Sequence, residues 1–278
     1  MKVPRILHYP GSKWSMADWI ISHMSPHKTY LEPFFGSGAV LFNKSASALE
    51  TINDLDGDVV NLFKVIRERP EELSWAVAWT PYSRDEYYWS YETVTDDLER
   101  ARRFLVRTWQ AIGAKTSDRT GWRSNIQYEK APHKIWPKQW QNVPDEIIRC
   151  CGRLKDVQIE NQNAIQLLTR YKYTDVLVYA DPPYLLETRS SRMYRHEMAE
   201  EDETDEEAHM RLLDSLDEHP GPVLLSGYSH PLYNQRLKHW RREERASTAD
   251  RGKPRVEVLW INPVAAGQVG QKWPSHQR

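Results

Sequence analysis

The sequence predicts an α/β fold: one mostly parallel sheet, interrupted by an inserted basic segment of helices and loops. Three observations carry this. Strand and helix patterns alternate between Ser15 and Arg67 and again from Val157, which implies parallel strands joined by right-handed crossovers. Between Pro70 and about Arg153 the alternation gives way to a stretch rich in Trp, Tyr, Arg and Pro. Asp175-Val-Leu-Val-Tyr-Ala180 is an apolar run of strand length, as expected of a strand buried on both faces.

The elements follow in chain order. Ser15 to Met24 carries Met16, Trp19, Ile20, Ile21 and Met24 at helical spacing, and Pro26 ends the helix. Thr29–Glu32 is a short strand that runs into Pro33 and a glycine turn, and Ala39 to Asn43 opens the next helix. Thr51–Asn53 is a second strand. Asp58 to Arg67 is a second crossover helix, with Val59, Leu62, Phe63 and Ile66 on one face. Within the basic stretch, Arg100 to Gln110 reads as helix and Gly113 to Pro137 as loop or hairpin. The rhythm resumes with strand Val157–Glu160, helix Asn163–Tyr171 and the apolar strand ending at Ala180. A helix at Ala208–Leu216, a strand at Pro222–Ser226, a helix at Leu232–Trp240 and a final strand at Arg255–Asn262 complete the chain.

Composition bounds the function. A chain of 278 residues, 40% hydrophobic and 28% charged, is an ordinary globular chain with a core that needs no staples. Its only two cysteines are adjacent, Cys150 and Cys151, which excludes a disulfide framework, and no metal site is expected. No apolar run reaches the length of a membrane span. The start, MKVPRILHYPGSK, lacks the apolar core of a secretory signal, so the expected compartment is the cytoplasm.

The net charge of −1 hides an asymmetry. Arg100 to Lys155 holds 13 Lys or Arg against 4 Asp or Glu, a balance of +9, and His196 to Glu218 holds 11 acids against one arginine. Seven of the twelve tryptophans lie between Trp75 and Trp140. Core packing accounts for most tryptophans in most proteins, yet aromatics interleaved with arginines also suit nucleic acid. The acidic run Glu200–Glu207 reads as a solvated loop.

The strongest local signal is Asp181-Pro182-Pro183-Tyr184, directly after the apolar strand. Ligands of open α/β sheets bind outside the carboxyl ends of the strands, which is where this tetrapeptide falls. Paired prolines fix φ and remove donors, leaving rigid carbonyl acceptors beside one carboxylate and one aromatic ring. An exocyclic ring amine has its lone pair delocalised and reacts poorly. Accepting both its hydrogens, at Asp181 and at the Pro182 carbonyl, pulls the nitrogen toward a pyramidal form, while Tyr184 can stack on the base.

Phe35-Gly36-Ser37-Gly38 follows the first strand and opens a helix, so its backbone can approach a ligand closely. Asp54 follows at the end of the next strand, near the spacing at which an acid reaches ribose hydroxyls. No GKS or GKT occurs, which excludes a Walker loop and suits an adenosine without a triphosphate. Tyr9-Pro10-Gly11-Ser12-Lys13 forms a turn before the first helix.

Taken together, these residues resemble the Dam-type DNA adenine methyltransferases, in particular their phage-type members. The resemblance covers about 1–68 and 157–262, with the motifs in the family's order. It implies a Rossmann-like methyltransferase fold and S-adenosylmethionine as cofactor. By this likeness Tyr9, Lys13, Glu32, Phe35, Gly36, Ser37, Gly38, Asp54 and Asp181 contact the cofactor, with Asp54 on the ribose. Asn163 stands where many relatives place an aspartate that reads the adenine. Asp181, Pro182, Pro183 and Tyr184 match the catalytic motif. The implied organisation is a catalytic domain of 1–68 and 157–278 with a target-recognition domain inserted at 69–156.

The substrate so implied is adenine N6 in double-stranded DNA, flipped out of the stack into the site. Arg123 and Asn125 are candidates for base edges, since Arg suits guanine and Asn suits adenine. Trp122 lies beside them, and Arg102, Arg103 and Arg107 are expected at phosphates, where neutralising them weakens binding to all sequences alike. The alternatives are methylation of another amine, such as cytosine N4, an RNA base or a protein amide, or a DNA-binding module that holds the cofactor without turnover. Cytosine C5 chemistry is disfavoured because both cysteines follow Arg149 in a helix-like stretch.

Overall fold

In the computed structural model, residues 3–113, 115–127, 135–189, 192–248 and 254–268 are described. In chain order the elements are α1 (Ala17–Ser22), β1 (Thr29–Glu32), α2 (Ala39–Asn43), β2 (Leu49–Asn53) and α3 (Gly57–Glu68). The basic stretch contributes α4 (Pro70–Ala78), α5 (Arg84–Trp89), α6 (Asp97–Gln110), α7 (Trp136–Trp140) and α8 (Val143–Leu154). There follow β3 (Val157–Glu160), α9 (Ala164–Arg170), β4 (Val176–Ala180), α10 (Asp205–Asp217), β5 (Val223–Tyr228), α11 (Pro231–Arg236), β6 (Arg241–Thr248), β7 (Pro254–Ile261) and α12 (Pro263–Gln268).

The seven strands form one sheet in the order β3-β2-β1-β4-β5-β7-β6. β3 to β5 across this order are parallel, and the β6–β7 hairpin pairs antiparallel at the edge. The strand order reverses between β1 and β4, so a crevice opens at their carboxyl ends. The period-2 alternation of a strand splits its side chains between two cores. Leu177 and Tyr179 pack on one side with α3, α6 and α8, and Val176, Val178 and Ala180 on the other with α9 and α10. No helix among the described residues is long and apolar enough to cross a membrane.

Two differences from the sequence expectation have clear causes. β6, Arg-Arg-Glu-Glu-Arg-Ala-Ser-Thr, has no apolar alternation to announce it, because charged side chains are what an exposed edge strand tolerates. The helix expected to reach Trp240 stops at Arg236. Its Leu237 amide still donates to the Tyr233 carbonyl, and the Trp240 indole N–H then turns to Asp217 at 2.8 Å. The basic stretch is also more helical and more integrated than expected. Phe104, Leu105, Val106 and Trp109 of α6 and Ile147, Cys150, Cys151 and Leu154 of α8 share a single core cluster with Tyr30, Phe35 and Phe63. These helices therefore cover one face of the sheet, and described residues 111–113 and 115–127 continue the chain from the end of α6.

Candidate active site

Glycine geometry shapes the first wall of the crevice. Gly36 and Gly38 have φ of 48° and 67°, the left-handed region that glycine enters without strain. At Gly38 a Cβ would lie 2.5 Å from the Phe35 ring, so the turn that starts α2 admits nothing larger. The Gly36 amide donates to Asp54 Oδ2 at 2.8 Å, and the Asp56 amide donates to Oδ1 at 2.9 Å. Asn53, 1% exposed, locks the strand ends together: its Nδ2 donates to the carbonyls of Pro33 and Gln162, and its Oδ1 accepts from the Gln162 amide. Burial pushes the Asp54 carboxyl up to about 7, against the lowering effect of those two amides. Glu32 at the end of β1 accepts the Tyr30 hydroxyl at 2.8 Å, and burial pushes it up to about 8.

The amino-terminal turn closes on this loop. Ser12 and Ser37 share a hydrogen bond of 2.8 Å between their hydroxyls. Lys13, 5% exposed, donates to the Gly11 carbonyl at 2.7 Å and lies 3.1 Å from Asp181 Oδ1. Burial alone would lower the Lys13 ammonium, but Asp181 and Glu257 outweigh it and hold it above its ordinary range. Burial raises Asp181, with Lys13 opposing.

Asp181-Pro182-Pro183-Tyr184 leaves β4 at the point where the crevice begins. The Tyr184 hydroxyl donates to Glu257 Oε2 at 2.8 Å and lies 3.3 Å from Asp181 Oδ1. Its ring is buried, with the Lys13 ammonium 4.7 Å from its centroid and the Tyr228 ring edge-on at 4.6 Å. Asp181, Pro183, Lys13, Glu32 and Asp54 all line one cleft of about 950 Å³, together with Tyr9, Phe35, Gly36, Ser37 and Asn163. Pro182, Tyr184 and Gly38 are not among its lining residues.

Two sequence expectations change character here. Asn163 is the N-cap of α9: its Oδ1 accepts from the Ile165 amide at 2.9 Å and the Gln166 amide at 3.4 Å. Only its amide nitrogen is left for a ligand, and that lies 3.4 Å from Glu200. Arg102, Arg103 and Arg107 are each engaged with carboxylates. Arg102 pairs with Glu86 and Glu99, Arg103 with Glu99, and Arg107 with Asp58. In this structure each of the three guanidinium groups thus holds a carboxylate on α3, α5 or α6.

The segment that follows α6 begins at an isolated bridge between Ala111 and Trp122. The Trp122 indole donates to Gln110 Oε1 at 3.1 Å, the Arg123 guanidinium lies over the Trp136 ring at 4.3 Å, and Asn125 Oδ1 accepts from the Trp136 amide.

Sequence reasoning missed three further participants. Residues 194–198, after the Asp-Pro-Pro-Tyr turn, fold over the cleft: Tyr194, His196, Glu197 and Met198 line it. Arg195 ties this segment down to Asp58 at 2.7 Å, and the Thr116 amide donates to the Met193 carbonyl at 2.9 Å. Asp58 is the second, accepting from Arg100, Arg107 and Arg195 together. Glu257 is the third. An acid inside the apolar run Val-Glu-Val-Leu-Trp-Ile was the available signal. The cysteines are buried on α8, away from the cleft, and burial raises the Cys150 thiol.

Residues 9–250 match the profile of the family described as D12 class N6 adenine-specific DNA methyltransferase. The chain is similar to the Type II methyltransferase M1.LlaDCHI of Lactococcus lactis subsp. cremoris, 26% identical over 275 residues, 87% of this chain and 89% of that one. It is 26% identical to the DNA N-6-adenine-methyltransferase of Escherichia phage P1 over 141 residues, which span 48% of this chain and 19% of the phage protein. To the DNA adenine methylase of Serratia marcescens it is 24% identical over 193 residues, 64% of this chain and 66% of that one.

Proposed function

The chain belongs to the D12 class N6 adenine-specific DNA methyltransferase family, and on that premise we propose that it methylates N6 of adenine in double-stranded DNA, in the cytoplasm, with S-adenosylmethionine as methyl donor. The observation that carries the proposal is the placement of Asp181 and Asp54 on the same cleft, one at the end of β4 and the other beside the glycine loop. The residues present fit that donor. The cleft's acidic walls, Glu32, Asp54 and Asp181, suit a ligand that carries a sulfonium and an ammonium. Asp54 receives the ribose hydroxyls on the lone pairs that its two backbone donors leave over.

When bound, S-adenosylmethionine supplies an electrophilic methyl group, whose bonding pair stays with sulfur as the new carbon–nitrogen bond forms. The protein prepares the nitrogen. The target adenine leaves the stack at a cost of a few kcal/mol, and Asp181 and the Pro182 carbonyl accept its two N6 hydrogens. Asp181 then takes the proton that N6 releases. Holding the amine in line accounts for much of the rate. Lys13 opposes the upward push of burial on Asp181 and so favours the anionic form, which accepts rather than donates. Arg123, Asn125 and Trp122, in the segment that follows α6, meet the DNA, while Arg102, Arg103 and Arg107 hold carboxylates of α3, α5 and α6.

The test is to incubate the protein with duplex DNA and cofactor bearing a deuterated methyl, digest to nucleosides and weigh them. Labelled N6-methyldeoxyadenosine is the expected product. Label on cytosine N4, or none on DNA, overturns the proposal.

A further inference from the structure

We propose that Glu257 is a positioning residue for this reaction: it takes the hydrogen bond of the Tyr184 hydroxyl and so keeps Asp181 free to accept from the substrate amine. The inference rests on the methyltransferase reading above.

Glu257 lies on β7, opposite Tyr228 of β5 and Arg245 of β6. It is 7% exposed, and no salt bridge to it occurs among the described residues. A carboxylate so buried carries a desolvation cost that an apolar residue in the same strand would avoid. Its one hydrogen-bond partner among the described residues is the Tyr184 hydroxyl at 2.8 Å.

That hydroxyl has a single proton and two carboxylates within reach. Glu257 Oε2 is at 2.8 Å and Asp181 Oδ1 at 3.3 Å, so the proton lies toward Glu257. Asp181 Oδ1 already faces the Lys13 ammonium at 3.1 Å. If Glu257 lost its acceptor, the phenol would turn to Asp181 and place a second donor on the same oxygen. Each donor it satisfies there weakens the carboxylate as an acceptor for adenine N6. The bond to Glu257 also fixes the turn that carries Pro182 and Pro183, because Tyr184 is its last residue. Lys13 at one face and the Tyr228 edge hold the ring, and Glu257 holds its hydroxyl end.

The experiment measures single-turnover methylation of duplex DNA by wild type, Glu257→Met, Glu257→Gln, Tyr184→Phe and the double variants. Affinity for S-adenosylhomocysteine is measured alongside as a check on the fold. Glu257→Met is expected to slow transfer by roughly 10- to 100-fold, the range for losing a hydrogen bond to a charged acceptor, with cofactor affinity held. Glu257→Gln recovers most of that rate, since its amide oxygen still accepts. In the Tyr184→Phe background, where no phenol remains to redirect, Glu257→Met costs less than about threefold.

A Glu257→Met protein as fast as wild type overturns the inference. So does a penalty that is unchanged in the Tyr184→Phe background, because Glu257 would then act through packing alone. If wild type methylates no DNA, the methyltransferase reading itself falls and takes the inference with it.

Discussion

Replacing Lys13 by methionine removes the cation paired with Asp181 while keeping most of the side chain's bulk. The ammonium lies 3.1 Å from Asp181 Oδ1, and the two side chains are 5% and 18% exposed. At about 4 Å and an effective dielectric constant near 20, a charge pair is worth roughly 4 kcal/mol. Asp181 opens on the cleft, so water entering beside it recovers part of this. A net loss of about 1.4–2.8 kcal/mol corresponds to a factor of about 10–100. The sign follows from which form of Asp181 works. Burial already raises its carboxyl, with Glu257 adding to the rise, and Lys13 opposes both. Without Lys13 the protonated acid gains, and a protonated Asp181 donates where it must accept. The acid limb of the rate profile therefore moves to higher pH. In single-turnover methylation from about pH 5.5 to pH 9, the acid limb of Lys13→Met should lie about 1–2 pH units above that of wild type, with the rate recovering in alkali. An acid limb in the wild-type position, or a loss of equal size at every pH, would refute the reasoning.

Other predictions follow from the same geometry. Asp54 keeps its proton to about 7 in the folded protein and loses it near 3.8 in an unfolded chain, so the folded state binds more protons between those values and stability falls as pH rises through them. Asp54→Asn should remove that slope, which is at most about 1.4 kcal/mol per pH unit, from melts run across the window. Asp58→Ala leaves Arg107, 16% exposed, without its carboxylate and unties Arg195, at a cost of about 2–4 kcal/mol after discounting the more exposed partners. The melting midpoint should drop by roughly 4–12 °C, and an unmoved midpoint would mean that the cluster contributes nothing. Arg102→Ala should lower the midpoint yet leave the salt dependence of DNA binding unchanged, because Glu86 and Glu99 already neutralise it. Arg123→Ala should weaken DNA binding with the fold intact. The reverse pattern in titrations over salt would place α6 on the duplex instead.

What the sequence disclosed was whatever is written locally. Apolar runs marked β4 and β5 to within two residues, because a buried parallel strand must be apolar on both faces. The glycine loop, Asp54 and the Asp-Pro-Pro-Tyr turn were legible because each needs a residue type at one backbone position. Contacts made across long sequence separations were not. Nothing near Arg107 in the chain announces Asp58, and nothing near Tyr184 announces Glu257. That the Asn163 oxygen caps α9 depends on where that helix begins, which the residue type alone does not fix. The positive balance of 100–155 was read as a surface for a polyanion, but part of it is answered by Asp58, Glu86 and Glu99 outside or at the edge of that count. β6 hid because polarity on an edge strand looks like a loop.

The central claim is that Asp181, at the rim of the cofactor cleft, is what makes the adenine amine reactive. Single-turnover transfer by Asp181→Ala, with S-adenosylhomocysteine affinity measured on the same preparation, tests it most directly. The expected rate is at least about 100-fold below wild type, the lower end for loss of a positioned acid or base, and falls well beyond any loss of cofactor affinity. Methylation of adenine at the wild-type rate would contradict it.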